Sequence, residues 1–292
     1  MMSGRLPVLF TDLDGTLLDH HSYSFEAASA ALTRVRQARV PLVLCSSKTR
    51  AEIEPIRTRL DAYHPFVSEN GAAVFTPRDY FPFMIPAAHE RAGYHVLEFG
   101  RPYHEVVDVL HRTAARLNVD ILGFSDMTVE EVAEACGLSV PEASLAKLRE
   151  YDEPFRIVDG TPASRDRLFR ALRRAGFQSV RGGRFDHVTG GADKGTAVAA
   201  LRAFYIDAYG DVVTVGLGDS LNDVSLLQAV EIPVVVSDPA AGAAAHLLQE
   251  VPTARVTLAC GPAGWGEAVN RILSECGIGP SRVPPGTGHG DG

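Results

Sequence analysis

Two short segments near the start of the chain, residues 7–10 and 40–45, are apolar at nearly every position and read as buried strands. Between them, Phe25, Ala28, Leu32 and Val35 fall at helical spacing, which predicts a helix over 25–39, and a second helix is predicted over 49–60. Much later the same alternation resumes, with a helix over 193–205, a strand over 212–215, a helix over 223–229 and a strand over 234–236. Strands that are apolar throughout and alternate with helices predict an α/β fold, a Rossmann-like parallel sheet covered on both faces. The middle of the chain has a different rhythm. A strand over 94–99, a helix over 103–117 and a strand over 119–124 precede two capping-box signatures, Thr128 with Glu131 and Ser139 with Glu142. A strand over 155–158 and a helix opened by Thr161 and Pro162 follow. Two short strands then flank Gly182 and Gly183 at hairpin spacing. This pattern predicts an inserted α/β unit over 86–189, splitting a core made of 1–85 and 190–276. The Gly- and Pro-rich remainder, 277–292, is expected to be a disordered tail.

Composition changes this picture little. The 292 residues are 46% hydrophobic and 22% charged, an ordinary globular balance for one large domain or two smaller ones. No apolar run approaches the length of a membrane span, and the first residues show no secretory signal, so a cytoplasmic protein is expected. The net charge of −8, without a basic stripe, argues against nucleic acid as a partner. The four cysteines, Cys45, Cys136, Cys260 and Cys276, are widely spaced and read as free thiols. The sequence carries no signal for an oligomeric state.

Candidate chemistry gathers where predicted strands end. Asp12 and Asp14 stand two apart after the first strand and are followed by Gly15, which permits a sharp turn. One carboxylate can attack phosphorus while the other handles a proton; the bland alternative is an acidic turn. After the strand over 212–215 comes Gly-Leu-Gly-Asp-Ser-Leu-Asn-Asp, placing Asp219, Asn222 and Asp223 at the same sheet edge. With Asp12 they offer the carboxylates that Mg²⁺ prefers, although Asp223 also suits a helix N-terminus. Ser46, Ser47 and Lys48 follow the second strand, where hydroxyl and backbone N–H groups can hold phosphate oxygens or simply cap a helix. Lys194 opens a helix beside glycines. Only three of the 28 basic residues are lysines, Lys48, Lys147 and Lys194, which singles each out as a compact point charge.

In this order the segments resemble the haloacid dehalogenase-like phosphatases. The resemblance implies Asp12 as nucleophile, Asp14 as general acid and base, Ser46 as the motif-two hydroxyl and Lys194 as the motif-three lysine. It implies Mg²⁺ held by Asp12, the Asp14 carbonyl, Asp219 and Asp223, and an α/β cap of the second type (IIB) as the insert. An acid at position 14 sets the chain apart from dehalogenases and transport ATPases. The segments around Lys48–Glu52, Glu69–Asn70–Gly71, Arg149–Pro154 and Arg184–His187 are similar to those of the mannosyl-3-phosphoglycerate phosphatase subfamily, over about residues 8–275. That implies a small phosphorylated glycosyl-glycerate substrate in compatible-solute synthesis, mannosyl or glucosyl. Substrate contacts are then expected from Ser47, Lys48, Glu69, Asn70, Lys147, Arg184, His187 and Asn222, with Tyr151 and Asp152 as weaker candidates. Arg184 is expected to fork onto the glycerate carboxylate. His187 reads equally as a structural histidine, and Glu69 and Asn70 as a turn between strands. Another sugar phosphate, a phosphomutase reaction or a non-catalytic sensor are the alternatives.

Overall fold

The computed structural model describes residues 4–158, 161–181, 184–191, 193–238 and 243–279. The described residues form thirteen strands: β1 (Leu6–Thr11), β2 (Leu42–Cys45), β3 (Phe66–Ser68), β4 (Ala73–Pro77), β5 (His89–Arg91), β6 (Tyr94–Glu98), β7 (Ile121–Gly123), β8 (Asp152–Ile157), β9 (Gln178–Arg181), β10 (Asp186–Thr189), β11 (Val212–Gly218), β12 (Ile232–Ser237) and β13 (Arg255–Cys260). The α-helices are α1 (Ser29–Gln37), α2 (Arg50–Leu60), α3 (Tyr103–Leu117), α4 (Val129–Cys136), α5 (Val140–Ala146), α6 (Pro162–Arg174), α7 (Lys194–Tyr209), α8 (Val224–Gln228), α9 (Ala243–Glu250) and α10 (Gly261–Glu275).

Nine strands make one sheet in the order β13-β12-β11-β1-β2-β3-β4-β6-β5. From β13 to β3 every neighbour is parallel, as the apolar runs of β1, β2, β11 and β12 predict; β4, β6 and β5 continue it antiparallel. One face packs on α1 and α10 through Leu9, Leu44, Val215 and Trp265, and the other on α7 and α8 through Val8, Phe10, Val43, Leu201 and Leu226. Trp265 is fully buried and its indole N–H donates to Thr11 Oγ1 at 3.0 Å, so the polar edge of the largest core side chain is satisfied.

The remaining strands form an antiparallel sheet, β7-β8-β10-β9. The helices α3 and α6 cover it through Leu110, Phe155, Leu168 and Val188. The short pair α4 and α5 packs around Phe124, Met127 and Phe185. Both expected capping boxes are present, with Thr128 and Ser139 accepting from the N–H of Glu131 and Glu142. Gly182, Gly183 and the tail beyond Gly279 lie outside the described residues.

The expected boundary at residue 86 needs correction, because β5 and β6 extend the large sheet instead of opening the inserted unit. Val96 and Leu97 pair with Phe75 and Val74, and Tyr94 packs edge-on against Phe66 and Phe75. A strand pattern reveals a strand but not its partner. The chain leaves the large sheet after Glu98 and rejoins it at β11, after α7 has packed on that sheet's face. At the passages between the two sheets Gly100 and Gly190 are required: a Cβ on Gly190 would lie 2.3 Å from the backbone nitrogen of Arg101.

The turn between β3 and β4 is equally constrained. Gly71 has φ +97°, and a Cβ there would lie 2.0 Å from the carbonyl oxygen of Asp193, which leads into α7. Gly71→Ala is therefore expected to destabilise the protein by about 3 kcal/mol or more, read by urea denaturation. A midpoint unchanged from wild type would contradict this close approach.

Candidate active site

The parallel pairing of β1 with β2 and β11 brings three strand ends to one edge of the sheet. The strand β1 stops at Thr11, and Asp12 is tied to its neighbour by an N–H···O bond to Leu217 at 2.9 Å. Asp12 and Asp14 reach the same space through a tight loop, not through strand alternation. In that loop Leu18 N–H returns to the Leu13 carbonyl and Gly15 N–H to the Leu18 carbonyl. Gly15 has φ +82°, and a Cβ there would lie 2.6 Å from Asp219 Oδ2.

Four carboxylates and two lysines meet at this edge. Lys194, fully buried at the start of α7, donates to Asp12 Oδ1 at 2.6 Å and to Asp223 Oδ1 at 2.7 Å. The other oxygen of Asp223 accepts the N–H groups of Asp219 and Ser220, both at 3.1 Å, which fixes the loop after β11. Thr16 holds Asp219 Oδ1 at 2.8 Å. Lys48 pairs with Asp14 Oδ2 at 2.8 Å and sits 5.0 Å over the ring of Tyr23.

Burial pushes the carboxyl of Asp12 up to about 7, with Asp223 and Asp14 adding repulsion that Lys194 only partly offsets. Burial likewise pushes Asp219 up to about 8, reinforced by Asp12 and Asp223. For Lys194, burial opposes the charge, but Asp12 and Asp223 outweigh it and hold the ammonium protonated. The site is thus crowded with negative charge.

Oxygen atoms of Asp12, Asp219 and Asp223 lie within 4.8 Å of one another. Among the described residues, Asp12 Oδ2 and Asp219 Oδ2 accept no hydrogen bond from the protein. An all-oxygen, acidic donor set with uncompensated charge and two open oxygens fits a hard divalent cation such as Mg²⁺. Asp14 Oδ1 is also buried without a partner, pointing to a group the protein itself does not supply.

A cavity of about 280 Å³ opens above these residues, between the large sheet and the antiparallel one. Its floor is acidic, with Asp12, Asp14 and Asp219; its walls carry Lys48, Arg149, Arg184 and His187. Of the expected contact residues, Ser47, Lys48, Arg184, His187 and Asn222 line it. Arg184 is exposed and already donates to the Cys136 carbonyl, so its guanidinium has further N–H groups to offer.

Four expected residues have other surroundings. Ser46 is buried; its hydroxyl accepts the Lys48 N–H at 3.2 Å, and its carbonyl accepts the Asn70 N–H at 3.0 Å. Lys147 sets its ammonium on the carbonyls of Phe124 and Met127, capping the loop before α4 instead of lining the cavity. Glu69 is fully buried, and its carboxylate accepts the N–H groups of Glu150, Tyr151 and Asp152 at 2.8–3.2 Å. Burial pushes Glu69 up to about 7 despite the nearby Arg149. Asn70 lies beneath the cavity and bonds Asp152 at 2.7 Å and Asn222 at 3.2 Å. The turn at 69–71 therefore joins the two sheets, a role neither of its sequence readings contained.

Arg149, His20 and Tyr23 also line the cavity and were not singled out as contacts from the sequence. Arg149 had a signal, since it opens the Arg149–Pro154 segment. His20 and Tyr23 had only their nearness to Asp14.

The family model for haloacid dehalogenase-like hydrolases matches residues 9–250. A glucosyl-3-phosphoglycerate/mannosyl-3-phosphoglycerate phosphatase of Methanococcoides burtonii is 41% identical over 269 residues, covering 92% of this chain and 97% of the relative. A protein of the same name from Persephonella marina is 40% identical over 270 residues, with the same coverage of 92% and 97%. Among solved structures, a sugar phosphatase of HAD subclass IIB superposes with a TM-score of 0.63 at 17% identity, covering 93% of this chain and 99% of that one; this likeness concerns the fold. With the matched residues running from β1 through α9, across both sheets and the carboxylate cluster, the chain belongs to the haloacid dehalogenase-like hydrolase family.

Proposed function

We propose that this protein is a Mg²⁺-dependent phosphatase that hydrolyses glycosyl-3-phosphoglycerates, mannosyl or glucosyl, through a phosphorylated Asp12. One observation carries the reading: Asp12 offers an open carboxylate oxygen beside Lys194 and Asp219, with the unpartnered Asp14 Oδ1 on the same loop. The substrate class is supported by the two relatives at 41% and 40% identity, which bear glycosyl-3-phosphoglycerate phosphatase names. The four cysteines are free thiols, in keeping with a reducing cytoplasm, and among the described residues no helix is long and apolar enough to cross a membrane.

In this mechanism Asp12 attacks the phosphorus in line and Asp14 protonates the departing glycerate oxygen. Asp14 then takes a proton from water as water hydrolyses the aspartyl phosphate. Lys194 and Ser47 stabilise the phosphoryl oxygens, and Ser46, buried behind them, holds the motif-two turn by accepting the Lys48 N–H. Asp12, Asp219, Asp223 and the Asp14 carbonyl would hold Mg²⁺, which would supply neutralising charge at the reacting phosphate. Lys48 keeps Asp14 in place. The unit containing the antiparallel sheet, residues 100–189 or so, acts as the cap. Its Arg184, with Lys48 and Arg149 around the same cavity, gives the walls the positive charge that a second anionic group, the glycerate carboxylate, requires, and His187 lines the same wall.

The test compares kcat/KM for mannosyl-3-phosphoglycerate, glucosyl-3-phosphoglycerate, mannose 6-phosphate and sucrose 6-phosphate with Mg²⁺ present. A preference of about two decades or more for the glycosyl-phosphoglycerates is expected, the yield of a buried charged contact. Equal weak rates on all four would remove the substrate claim. Metal binding has its own readout. Saturating Mg²⁺ is expected to raise Tm, and Asp219→Asn to remove that rise. A rise that persists in Asp219→Asn would place the ion elsewhere.

A further inference from the structure

Beneath the cavity wall lies a hydrogen-bonded group that the mechanism above does not use. Asp152, at the start of β8, is completely buried and does not touch the cavity, yet its carboxylate has three side-chain partners. His187 Nδ1 lies 2.8 Å from Oδ1, the Arg149 guanidinium forms an ion pair with the same oxygen at 3.0 Å, and Asn70 donates to Oδ2 at 2.7 Å. Burial opposes its ionisation, but His187 and Arg149 outweigh that and hold the carboxyl below the usual range. Two of the partners, His187 and Arg149, line the cavity. The third, Asn70, accepts a hydrogen bond from Asn222 on the loop that carries Asp219 and Asp223.

We infer that Asp152 is a positioning residue: it fixes the ring orientation and proton placement of His187, so that Nε2 meets the part of the substrate beyond the phosphate. A buried carboxylate is an acceptor only, so the ring nitrogen facing it is the protonated one. Among the described residues nothing bonds Nε2, and the ring lines the cavity. Asn70 and Asn222 tie the same carboxylate to the metal loop, which keeps the His187 wall in register with the reacting phosphate. Arg149 is anchored further by the Ser47 carbonyl at 3.0 Å and the Asp152 carbonyl at 2.9 Å. It therefore braces the carboxylate and leaves the ring as the adaptable contact. The inference rests on the glycosyl-phosphoglycerate reading for its substrate, but the orientation of the ring does not depend on it.

The test takes Asp152→Asn, His187→Ala and the double variant, with glucosyl-3-phosphoglycerate and p-nitrophenyl phosphate as substrates in the presence of Mg²⁺. Each single variant is expected to raise KM for the phosphoglycerate about tenfold, the worth of one hydrogen bond, with kcat nearly unchanged. The double variant is expected to be no worse than His187→Ala, and the loss on p-nitrophenyl phosphate, which carries no glycerate or sugar, to be smaller than the loss on the phosphoglycerate in all three. Parallel losses on both substrates, or additive losses in the double variant, would overturn the inference. His187→Ala removes a partly exposed ring and keeps the test open if Asp152→Asn fails to fold. Nitrogen-15 NMR of labelled histidine decides the point without substrate. His187 is expected to carry its proton on Nδ1 in the wild type and to lose that fixed placement in Asp152→Asn. An identical spectrum in both would contradict positioning even if the substrate proved to be something else.

Discussion

Asp12→Asn is expected to abolish phosphate release, by about four orders of magnitude or more, while leaving the fold at least as stable as the wild type. The two halves of this expectation have one cause. The amide cannot attack phosphorus, so turnover falls to whatever the remaining electrostatics give to water. The same change removes a buried charge that is held uncomfortably: burial and the neighbouring Asp223 and Asp14 push the Asp12 carboxyl up to about 7 even though Lys194 touches it. Lys194 keeps Asp223 as its counter-ion at 2.7 Å, so no ammonium is orphaned. The checks are phosphate release at saturating substrate and a urea midpoint without metal. Residual activity near the wild-type level would exclude Asp12 as nucleophile. A large drop in midpoint would show that Asp12 is chiefly structural.

Lys194→Ala is expected to do the opposite to stability. Both of its partners are buried carboxylates, and Asp223 also organises the loop that positions Asp219. Removing one member of a buried, hydrogen-bonded ion group leaves the others uncompensated, at a cost of about 3–5 kcal/mol. The rate is expected to fall by about two to three orders of magnitude, because a fixed cation beside the phosphoryl oxygens is lost. Denaturation in chelator reads the first effect. Saturating Mg²⁺ is expected to recover part of the stability and little of the rate, since the ion can offset repulsion but cannot replace a donor held by α7. Lys194→Arg is expected to recover neither fully, because a planar guanidinium does not fit a site closed on a point charge. A variant as stable as wild type would mean that Asp12 and Asp223 are solvated or protonated without Lys194.

Much of this was legible in the sequence because the catalytic edge is a topological consequence. Once the runs ending at Phe10, Cys45 and Val215 are read as parallel strands, their following residues must share an edge, which gathers Asp12, Ser46 to Lys48 and Asp219. The capping boxes at Thr128 and Ser139 were equally local and appear as expected. Other features depend on what packs against what. The strand β6 joined the large sheet by pairing with β4, and β5 by pairing with β6, which no residue pattern in 89–98 encodes. The strand β13 and helix α10 were not anticipated: β13 buries Thr257 and exposes Val256 and Leu258, the reverse of apolar-in alternation, and α10 opens on Gly261 and Pro262 without a side-chain cap. Lys147 illustrates the limit of counting rare residues. Of the three lysines, Lys48 and Lys194 pair with site carboxylates, while Lys147 closes a loop by binding two backbone carbonyls. Glu69 shows the reverse. Its buried carboxylate holds three consecutive N–H groups of the segment entering β8, a role visible only when the two sheets are seen together.

The most direct test of the account is to look for the phosphorylated aspartate. The protein would be mixed with Mg²⁺ and glucosyl-3-phosphoglycerate carrying a radiolabelled phosphoryl group, quenched in acid within one turnover, and digested. The account predicts transient label on the peptide containing Asp12, released by hydroxylamine as an acyl phosphate and absent from Asp12→Asn. Phosphate release without any protein-bound label, or label on a different peptide, would contradict it.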